Sequence, residues 1–273
     1  MLINVDDPRT EAATDDPVRR LKRAYPWPDA RPPLGPVGNP GWLGEGTEKA
    51  LAAAVSPQSR VVVELGAWLG MSTRYIAGLA PHATVISVDH WAGSPEHQTR
   101  PEFRDMLPTL YDSFLSLCWD DRDRIIPLRM STLDGLRKVA EFGVQPDIVY
   151  IDAEHSYPAV SSELELAREL FPKARLVGDD YDWEGVREAA NGFARRHGLS
   201  VERMGARGWM VTARSSASRN GHSYSARAKW AVLVPYLGSI DGPCQNALNE
   251  LEASGVRVVR RQEARRSTSR ATR

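Results

Sequence analysis

The chain has 273 residues, of which 42% are hydrophobic and 26% charged, which is typical of a soluble globular protein with one good core. Its 35 basic and 35 acidic residues balance, so no net charge favours binding to nucleic acid or to an acidic membrane. Cys118 and Cys244 are too few for a disulfide framework or a multi-cysteine zinc site. The acidic N-terminus and the lack of a stretch of ~20 apolar residues exclude a signal peptide and a membrane span, so we expect a cytoplasmic protein.

The first 40 residues form a proline-rich lead-in, with eight of the nineteen prolines. This density excludes regular helix or sheet and predicts an extended segment. Trp27 and Trp42 are the side chains expected to hold it against the body of the protein. A disordered tail up to about residue 24 is the alternative.

From residue 46 onward, predicted helices and strands alternate. Strands are predicted at 60–65, 84–89, 124–130, 147–152 and 174–179, followed by two short strands near 201–204 and 208–212. Helices are predicted at 47–55, 71–80, 103–119 (interrupted or started around Pro108), 132–142, 158–171 and 183–197. The alternation predicts a doubly wound α/β fold with a mostly parallel, seven-stranded sheet. In such sheets ligands bind beyond the carboxyl ends of the strands.

Beyond this region the sequence changes character. Residues 213–227 predict a polar linker, and residues 228–260 predict one strand-helix-strand (βαβ) unit. A lone βαβ unit cannot bury a core, so we expect it to dock on the main sheet or to begin a second α/β domain. The arginine-rich tail at 261–273 predicts a solvated, disordered end, and an RNA-binding tail is the alternative.

A glycine turn lies between the first predicted strand and the following helix, where Glu64, Gly66 and Gly70 form the pattern E-x-G-x-x-x-G. Glycine lets the backbone approach a ligand, although tight strand-helix packing would also select it. The pattern lacks the G-x-G-x-x-G of dinucleotide-binding folds, which disfavours a pyrophosphate ligand. Asp89 ends the next strand, where an acid accepts both hydroxyls of a ribose or caps the following turn. Together these residues predict a nucleoside ligand.

Three aspartates form the second motif. Asp152 ends one predicted strand and Asp179 and Asp180 end another. Carboxylates that converge in one cleft repel each other unless a cation lies among them, and oxygen ligands suit Mg²⁺ or a similar hard cation. A helix cap and an arginine partner are the alternative, but we expect them not to account for two consecutive aspartates. His155 is a candidate general base, an orienting partner of Asp152, or an ordinary loop histidine. His90 and His97 have no identifiable metal-ligand partner and are expected at the rim of the cofactor pocket.

At these residues the chain resembles the class I S-adenosylmethionine-dependent methyltransferases, specifically the group that includes macrocin-type sugar O-methyltransferases. The resemblance covers residues 41–212, which we predict to be the methyltransferase domain. It rests on the segments GWL (41–43), ELGAWLGMS (64–72), SVDHWAGSPEH (87–97), YIDAEHSY (150–157) and VGDDYDWEGVREA (177–189). Residues from about 228 resemble, more weakly, the opening βαβ unit of nucleotide-sugar-dependent glycosyltransferases.

The resemblance implies S-adenosylmethionine as cofactor and a divalent cation held by Asp152, Asp179 and Asp180. The residues assigned to the cofactor are Glu64, Gly66, Gly70, Ser72, Asp89 and Ser131. The expected reaction is O-methylation of a small hydroxylated, sugar- or diol-like acceptor, with His155 and Asp152 as catalytic residues. The expected partner is this small molecule, not nucleic acid or a membrane, and a homo-oligomer is compatible with the sequence.

The sequence leaves three other functions open. A metal-independent methyltransferase would use a general base alone. An NAD-type oxidoreductase is disfavoured by the missing phosphate-binding glycines. A catalytically silent S-adenosylmethionine-binding module fused to a glycosyltransferase-like region is disfavoured by the intact aspartates.

Overall fold

The computed structural model describes residues 16–214, 231–234 and 257–260. The chain divides into two compact units, Met1–Ser215 and Ser216–Arg273. None of the helices in the described ranges is long and apolar enough to span a membrane.

The strands of the first unit form one seven-stranded sheet. They are β1 (Val61–Leu65), β2 (Thr84–Asp89), β3 (Ile125–Arg129), β4 (Ile148–Ile151), β5 (Arg175–Gly178), β6 (Leu199–Met204) and β7 (Gly208–Ala213). Their spatial order is β3-β2-β1-β4-β5-β7-β6. The strands β1 to β5 are parallel, and β7 runs antiparallel to both β5 and β6. The predicted fold class, a doubly wound α/β fold with a mostly parallel seven-stranded sheet, is confirmed.

Helices fill the connections between the strands. They are α1 (Pro17–Ala24), α2 (Glu45–Ala54), α3 (Met71–Leu79), α4 (Pro95–Thr99), α5 (Pro101–Arg104), α6 (Leu110–Leu117), α7 (Thr132–Glu141), α8 (Tyr157–Leu170) and α9 (Glu184–Arg196). The helix predicted over 103–119 is interrupted around Pro108, as expected. This stretch contains part of α5, the 3-10 turn Leu107–Thr109 and α6, and it reaches the 3-10 turn Trp119–Asp121 only at its last residue, so the helix is shorter than predicted. Pro108 lies in the first of these turns, where its missing N–H costs no helical hydrogen bond.

The sheet separates two hydrophobic cores. Successive strand residues point to opposite faces, so Val63 packs in one core and its neighbour Val62 in the other. All five residues of β1 are buried, as expected for a parallel strand covered on both sides. Because both faces are filled with side chains, the carboxyl ends of the strands are where the sheet leaves room for a ligand.

The N-terminal lead-in contains a helix, so the expectation that its prolines exclude one is wrong over residues 17–24. Pro17 lies in the first turn of α1, where proline is tolerated. The Asp16 side chain accepts a hydrogen bond from the backbone N–H of Arg19 at 3.3 Å. Leu21 is fully buried in the core. Trp27 does hold the lead-in as predicted, because its indole N–H donates to the Ile125 carbonyl at 2.7 Å.

In the second unit, β8 (Ala231–Val234) and β9 (Arg257–Arg260) pair in parallel as a two-stranded sheet. Parallel pairing is what the predicted βαβ unit requires. The predicted helix between these strands, the linker from residue 215 to 227 and the tail at 261–273 lie outside the described residues. Ala213, where the linker was predicted to begin, is the last residue of β7.

Candidate active site

A cavity of about 750 Å³ lies at the carboxyl ends of the parallel strands. Residues that follow β1, β2, β3, β4 and β5 all contribute to its wall. Of the residues that the sequence assigns to a site, those on this wall are Gly66, Ser72, Asp89, Ser131, Asp152, His155 and Asp180. His90 and His97 line it as well, as predicted.

The glycine turn after β1 brings the backbone close to the end of β4. Gly66 has a φ of +87°, and a Cβ atom at this position would lie 2.0 Å from the carbonyl oxygen of Asp152. Any side chain would therefore separate the two strand ends. Gly66 thus brings the turn and Asp152 together on the cavity wall.

Asp89 holds the same turn from the end of β2. One carboxylate oxygen accepts hydrogen bonds from the backbone N–H groups of Ala67 and Trp68, both at 3.0 Å. The other accepts from the backbone N–H of Trp91 at 2.7 Å. A carboxylate oxygen has more than one acceptor position, so these bonds leave Asp89 able to accept a hydroxyl from a ligand in the cavity.

Glu64 and Gly70, by contrast, do not line the cavity. The Glu64 carboxylate is fully buried and accepts hydrogen bonds from the hydroxyls of Ser72 at 2.6 Å, Ser87 at 2.8 Å and Thr73. Burial raises its pKa to about 7 despite these donors. Glu64, which the sequence argument assigned to direct cofactor contact, therefore stabilises the glycine turn from the protein interior.

Gly70 has a φ of +76° and begins α3. A Cβ atom there would lie 2.3 Å from the Cys118 sulfur. The requirement for glycine at this position is therefore a matter of packing and backbone conformation, and not of ligand approach.

Ser72 and Ser131 lie on the cavity wall, and both hydroxyls already have protein partners. Ser72 donates to Glu64. Ser131 caps α7, where its hydroxyl accepts from the backbone N–H of Asp134 at 3.2 Å and donates to the Asp134 carboxylate at 2.7 Å.

Asp152 follows β4, and its backbone carbonyl lies against Gly66 of the glycine turn. It accepts a hydrogen bond from the buried Tyr150 hydroxyl at 2.7 Å. Burial, followed by the charges of Asp179 and Asp180, raises the pKa of Asp152 well above its usual value. The neighbouring carboxylates thus add to the effect of burial, in the direction that the sequence predicts.

Asp179 is directed away from the cavity, which corrects its assignment as a metal ligand. Its carboxylate accepts a hydrogen bond from the Thr47 hydroxyl at 2.7 Å and lies 3.0 Å from a guanidinium nitrogen of Arg207. Burial raises the pKa of this carboxyl, with Thr47 and Arg207 acting in the opposite direction. Its position inside the protein gives Asp179 a structural role.

Asp180 faces the cavity and has two charged or ionisable partners. One oxygen pairs with Arg207, and the other lies 2.9 Å from Nε2 of His155. Although burial opposes ionisation, the hydrogen bonds and charges of these two partners lower the pKa of Asp180. Asp180 has a φ of +59°, a backbone conformation that is uncommon for residues other than glycine. Because of this conformation, the side chains of Asp179 and Asp180 point in different directions.

Arg207 therefore pairs with both consecutive aspartates, whereas the sequence argument expected a helix cap and an arginine partner not to account for them. It lies between β6 and β7, in a loop whose Arg207 carbonyl accepts from the backbone N–H of Tyr181. A lone arginine in a polar loop gives no signal in the sequence. Its contribution depends on the antiparallel pairing of β5 with β7.

The side chains that could hold a metal ion are Asp152, His155 and Asp180, whose candidate ligand atoms all lie within 4.8 Å of one another. The predicted set is thus corrected by exchanging Asp179 for His155. Two carboxylates and one imidazole fit a divalent ion, and the imidazole shifts the preference from Mg²⁺ towards Mn²⁺ or Zn²⁺. Arg207 supplies part of the positive charge that this cluster requires even when no ion is bound.

Aromatic side chains that the sequence argument did not single out surround the cavity entrance. The His97 ring stacks on Trp68 and on Trp42, with centroid distances of 4.4 and 5.6 Å, and Phe103 contacts it edge-on. On the cavity wall that carries His155, Trp183 stacks on that histidine at 4.5 Å. The loops at 91–110 and 181–185 contribute His97, Phe103 and Trp183 to this wall.

A family model matches part of the chain. Residues 63–181, from β1 to just after the acidic pair, match the family model of a methyltransferase domain. No curated protein sequence matches the chain.

Three solved structures are similar to the chain at low identity. An O-methyltransferase from Bacillus cereus in complex with SAH is 16% identical, with 78% of this chain and 94% of that chain covered and a TM-score of 0.48. A precorrin 8W decarboxylase from Methanobacterium thermoautotrophicum is 14% identical, with 67% and 96% covered and a TM-score of 0.46. A TDP-rhamnose 3′-O-methyltransferase of calicheamicin biosynthesis is 16% identical, with 61% and 76% covered and a TM-score of 0.44.

Proposed function

We propose that the protein is an S-adenosylmethionine-dependent methyltransferase. The observation that carries the proposal is the placement of Gly66, Asp89 and Asp152 at three neighbouring strand ends on one cavity. These positions fall within the region that matches the methyltransferase family model. The sheet order and this match together support a class I enzyme. Gly66, Ser72, Asp89 and Ser131 would hold the cofactor, which supplies the methyl group.

The proposed reaction is O-methylation of a small hydroxylated acceptor, sugar- or diol-like. The acceptor hydroxyl attacks the methyl carbon, the carbon-sulfur bond breaks, and the hydroxyl proton passes to a base. His155 is the proposed base, because it lies on the cavity wall and Asp180, 2.9 Å away, orients its ring. The stacked rings of Trp42, Trp68 and His97 exclude water from the entrance and offer flat surfaces to the acceptor.

We further propose a divalent cation at Asp152, His155 and Asp180, which would lower the pKa of an acceptor hydroxyl. The proximity of these three side chains supports this assignment. An ion bound to His155 would prevent that imidazole from acting as the base. The Asp152 carboxylate oxygen that does not bind the ion would then be the candidate proton acceptor.

A metal-independent methyltransferase is the second candidate, and a specific contact favours it. Arg207 already pairs with Asp179 and Asp180 and offsets one of their two negative charges. The raised pKa of Asp152 favours its neutral form, which further reduces the negative charge of the cluster. In this alternative, His155 acts as the base without an ion.

Binding of S-adenosylhomocysteine, measured by isothermal titration calorimetry, tests the proposed function. We expect the wild-type protein to bind this ligand and not NAD, and Asp89→Ala to weaken binding by about 1–3 kcal/mol through the loss of charge-assisted hydrogen bonds. Asp123→Ala, a matched change at an exposed carboxylate, should leave the affinity unchanged. Failure of the wild-type protein to bind would overturn the proposal.

A further inference from the structure

A second pocket, of about 480 Å³, lies near the start of β3, whereas the cavity described above lies at the carboxyl ends of the strands. Its walls come from α1, from the segment that follows α1 and from the turn before β3. The Trp27 indole N–H donates to the carbonyl of Ile125, the first residue of β3, at 2.7 Å. The Lys22 ammonium group donates to the Asp123 carbonyl at 2.6 Å. These two bonds join the walls, and the proposed reaction uses no residue of this pocket.

The wall of this pocket is positively charged, although the formal charge of the whole chain is zero. Four cationic side chains face two carboxylates, the cations being Arg19, Lys22, Arg23 and Arg122 and the carboxylates Asp29 and Asp123. Lys22 lies 3.7 Å from Asp123. The Arg19 guanidinium has no partner in the part of the chain that the structure describes, and the Arg122 guanidinium contacts the ring and the carbonyl of Trp119. This excess of positive charge favours an anionic ligand.

Two tryptophans, Trp27 and Trp119, form the aromatic part of the same wall. Their rings meet edge to face with a centroid distance of 6.0 Å, and the Arg122 guanidinium lies 4.8 Å from the centroid of the Trp119 ring. Because the hydrogen bond to Ile125 fixes the Trp27 ring, the aromatic surface is in place before a ligand binds. Tryptophan beside arginine suits a nucleotide, since an aromatic ring packs on the base and a guanidinium pairs with the phosphate.

We propose that this pocket binds a nucleoside monophosphate, with the base against the two tryptophans and the phosphate against Arg19 and Arg122. A volume of about 480 Å³ is in the range for a small ligand of this size. The methyl donor does not fit this description, because its sulfonium group is positively charged and it carries no phosphate. The cavity proposed for it has acids on its wall, among them Asp89, Asp152 and Asp180. The second site is therefore independent of the proposed function.

Isothermal titration calorimetry of the full chain with AMP, adenosine and inorganic phosphate tests the proposal. Adenosine lacks the phosphate, and inorganic phosphate lacks the base. We expect AMP to bind at least about tenfold more tightly than either compound, because stacking and charge pairing act together. Saturation with S-adenosylhomocysteine should leave the AMP affinity unchanged. Absence of AMP binding, equal binding of AMP and phosphate, or competition between AMP and S-adenosylhomocysteine would each overturn the proposal.

Variants locate the binding site within the chain. Arg19→Gln and Arg122→Gln should each weaken AMP binding by about fivefold or more, through the loss of a charged partner of the phosphate. Trp119→Leu should weaken AMP binding but not phosphate binding. Since the Arg19 side chain is exposed, Arg19→Gln keeps the test valid even if Trp119→Leu does not fold.

Arg168→Gln is the matched control, because the Arg168 guanidinium also donates to a backbone carbonyl, that of Pro172, but lies outside both cavities. It should bind AMP as the wild type does. Wild-type affinity in Arg19→Gln and Arg122→Gln would show that AMP binds elsewhere and would refute the assignment. A short RNA with a 5′-phosphate that bound more than about tenfold more tightly than AMP would assign the pocket to an RNA strand and would also refute it.

Discussion

Asp179 and Asp180 are adjacent in sequence, yet they have different environments. Asp179 faces Thr47 inside the protein, whereas Asp180 faces His155 on the cavity wall, and Arg207 contacts both. The left-handed backbone at Asp180 produces this divergence. At the scale of single residues, the role of a carboxylate is therefore decided by its partners and not by its residue type.

This divergence leads to a prediction about metal binding. Asp180→Asn should weaken Mn²⁺ binding by at least about tenfold, since a charged ligand becomes neutral. Asp179→Asn should change it only a few-fold, because this side chain does not reach the cavity. Titration followed by electron paramagnetic resonance would measure both effects. Mn²⁺ affinity that is equal in Asp180→Asn and wild type, or full methyl transfer in EDTA, would exclude the metal mechanism.

A second prediction at this scale concerns the buried carboxyl of Glu64. Burial raises its pKa from an ordinary value of 4.5 to about 7, so between these pH values the folded protein binds more protons than the unfolded chain. Stability therefore falls as the pH rises from about 4.5 to about 7. Glu64→Gln cannot ionise and should lose less stability over this window, by about 1–3 kcal/mol.

Thermal unfolding at pH 5 and pH 8 would measure the difference for Glu64→Gln. The exposed Glu169→Gln provides a control with the same change in formal charge, and it should follow the wild type. Equal losses in wild type and Glu64→Gln would mean that Glu64 is ionised in the folded protein throughout this range.

At the scale of elements, α1 departs from the sequence prediction most clearly. The prolines of the first 40 residues are unevenly placed, and within α1 the only one is Pro17, in its first turn. Leu21 then packs against the core that lies on one face of the sheet. The formation of α1 is therefore decided by its own helix propensity and by the burial of one apolar residue, and not by the proline content of the surrounding segment.

Leu21→Ala tests whether α1 is part of the folded unit. Removing a fully buried leucine should lower the free energy of unfolding by about 2–4 kcal/mol. Arg19→Ala, at an exposed position of the same helix, should change it by no more than ~0.5 kcal/mol. Urea denaturation would measure both variants, and a Leu21→Ala effect as small as the control would show that α1 contributes no packing.

At the scale of the whole molecule, the sheet and the cavity belong to one unit. The residues of the cavity wall and all seven strands of the main sheet lie before Ser215, the last residue of the first unit. Cofactor binding should therefore need nothing beyond this unit.

A chain that ends at Ser215 tests this independence. We expect it to unfold cooperatively and to bind S-adenosylhomocysteine with an affinity within a few-fold of the full chain. A chain that ends at Met204 lacks β7 and should not fold, because β7 pairs with both β5 and β6. Circular dichroism and calorimetry would measure both. Aggregation of the Ser215 chain would mean that residues 216–273 are needed for folding.

The sequence alone determined the α/β class, the seven strands and the placement of Asp89, Asp152 and Asp180 at strand ends. These features follow from local patterns, namely continuous apolar runs for buried strands and polar residues where the runs stop. Because parallel strands end at the same edge of a sheet, placing a residue at a strand end is sufficient to place it near the site.

The tertiary structure alone decided which side chains meet. Thr47 reaches Asp179 across 132 positions of the chain, Arg207 reaches Asp180 across 27, and Thr132 reaches Glu163 across 31. Such partners depend on the order of the strands and on the backbone conformation of the loops, which leave no periodic signal in the sequence. The same reason explains Glu64 and Gly70, which match a ligand-binding pattern but stabilise the glycine turn without lining the cavity. A motif specifies residue types and their spacing, but it does not specify the direction of each side chain.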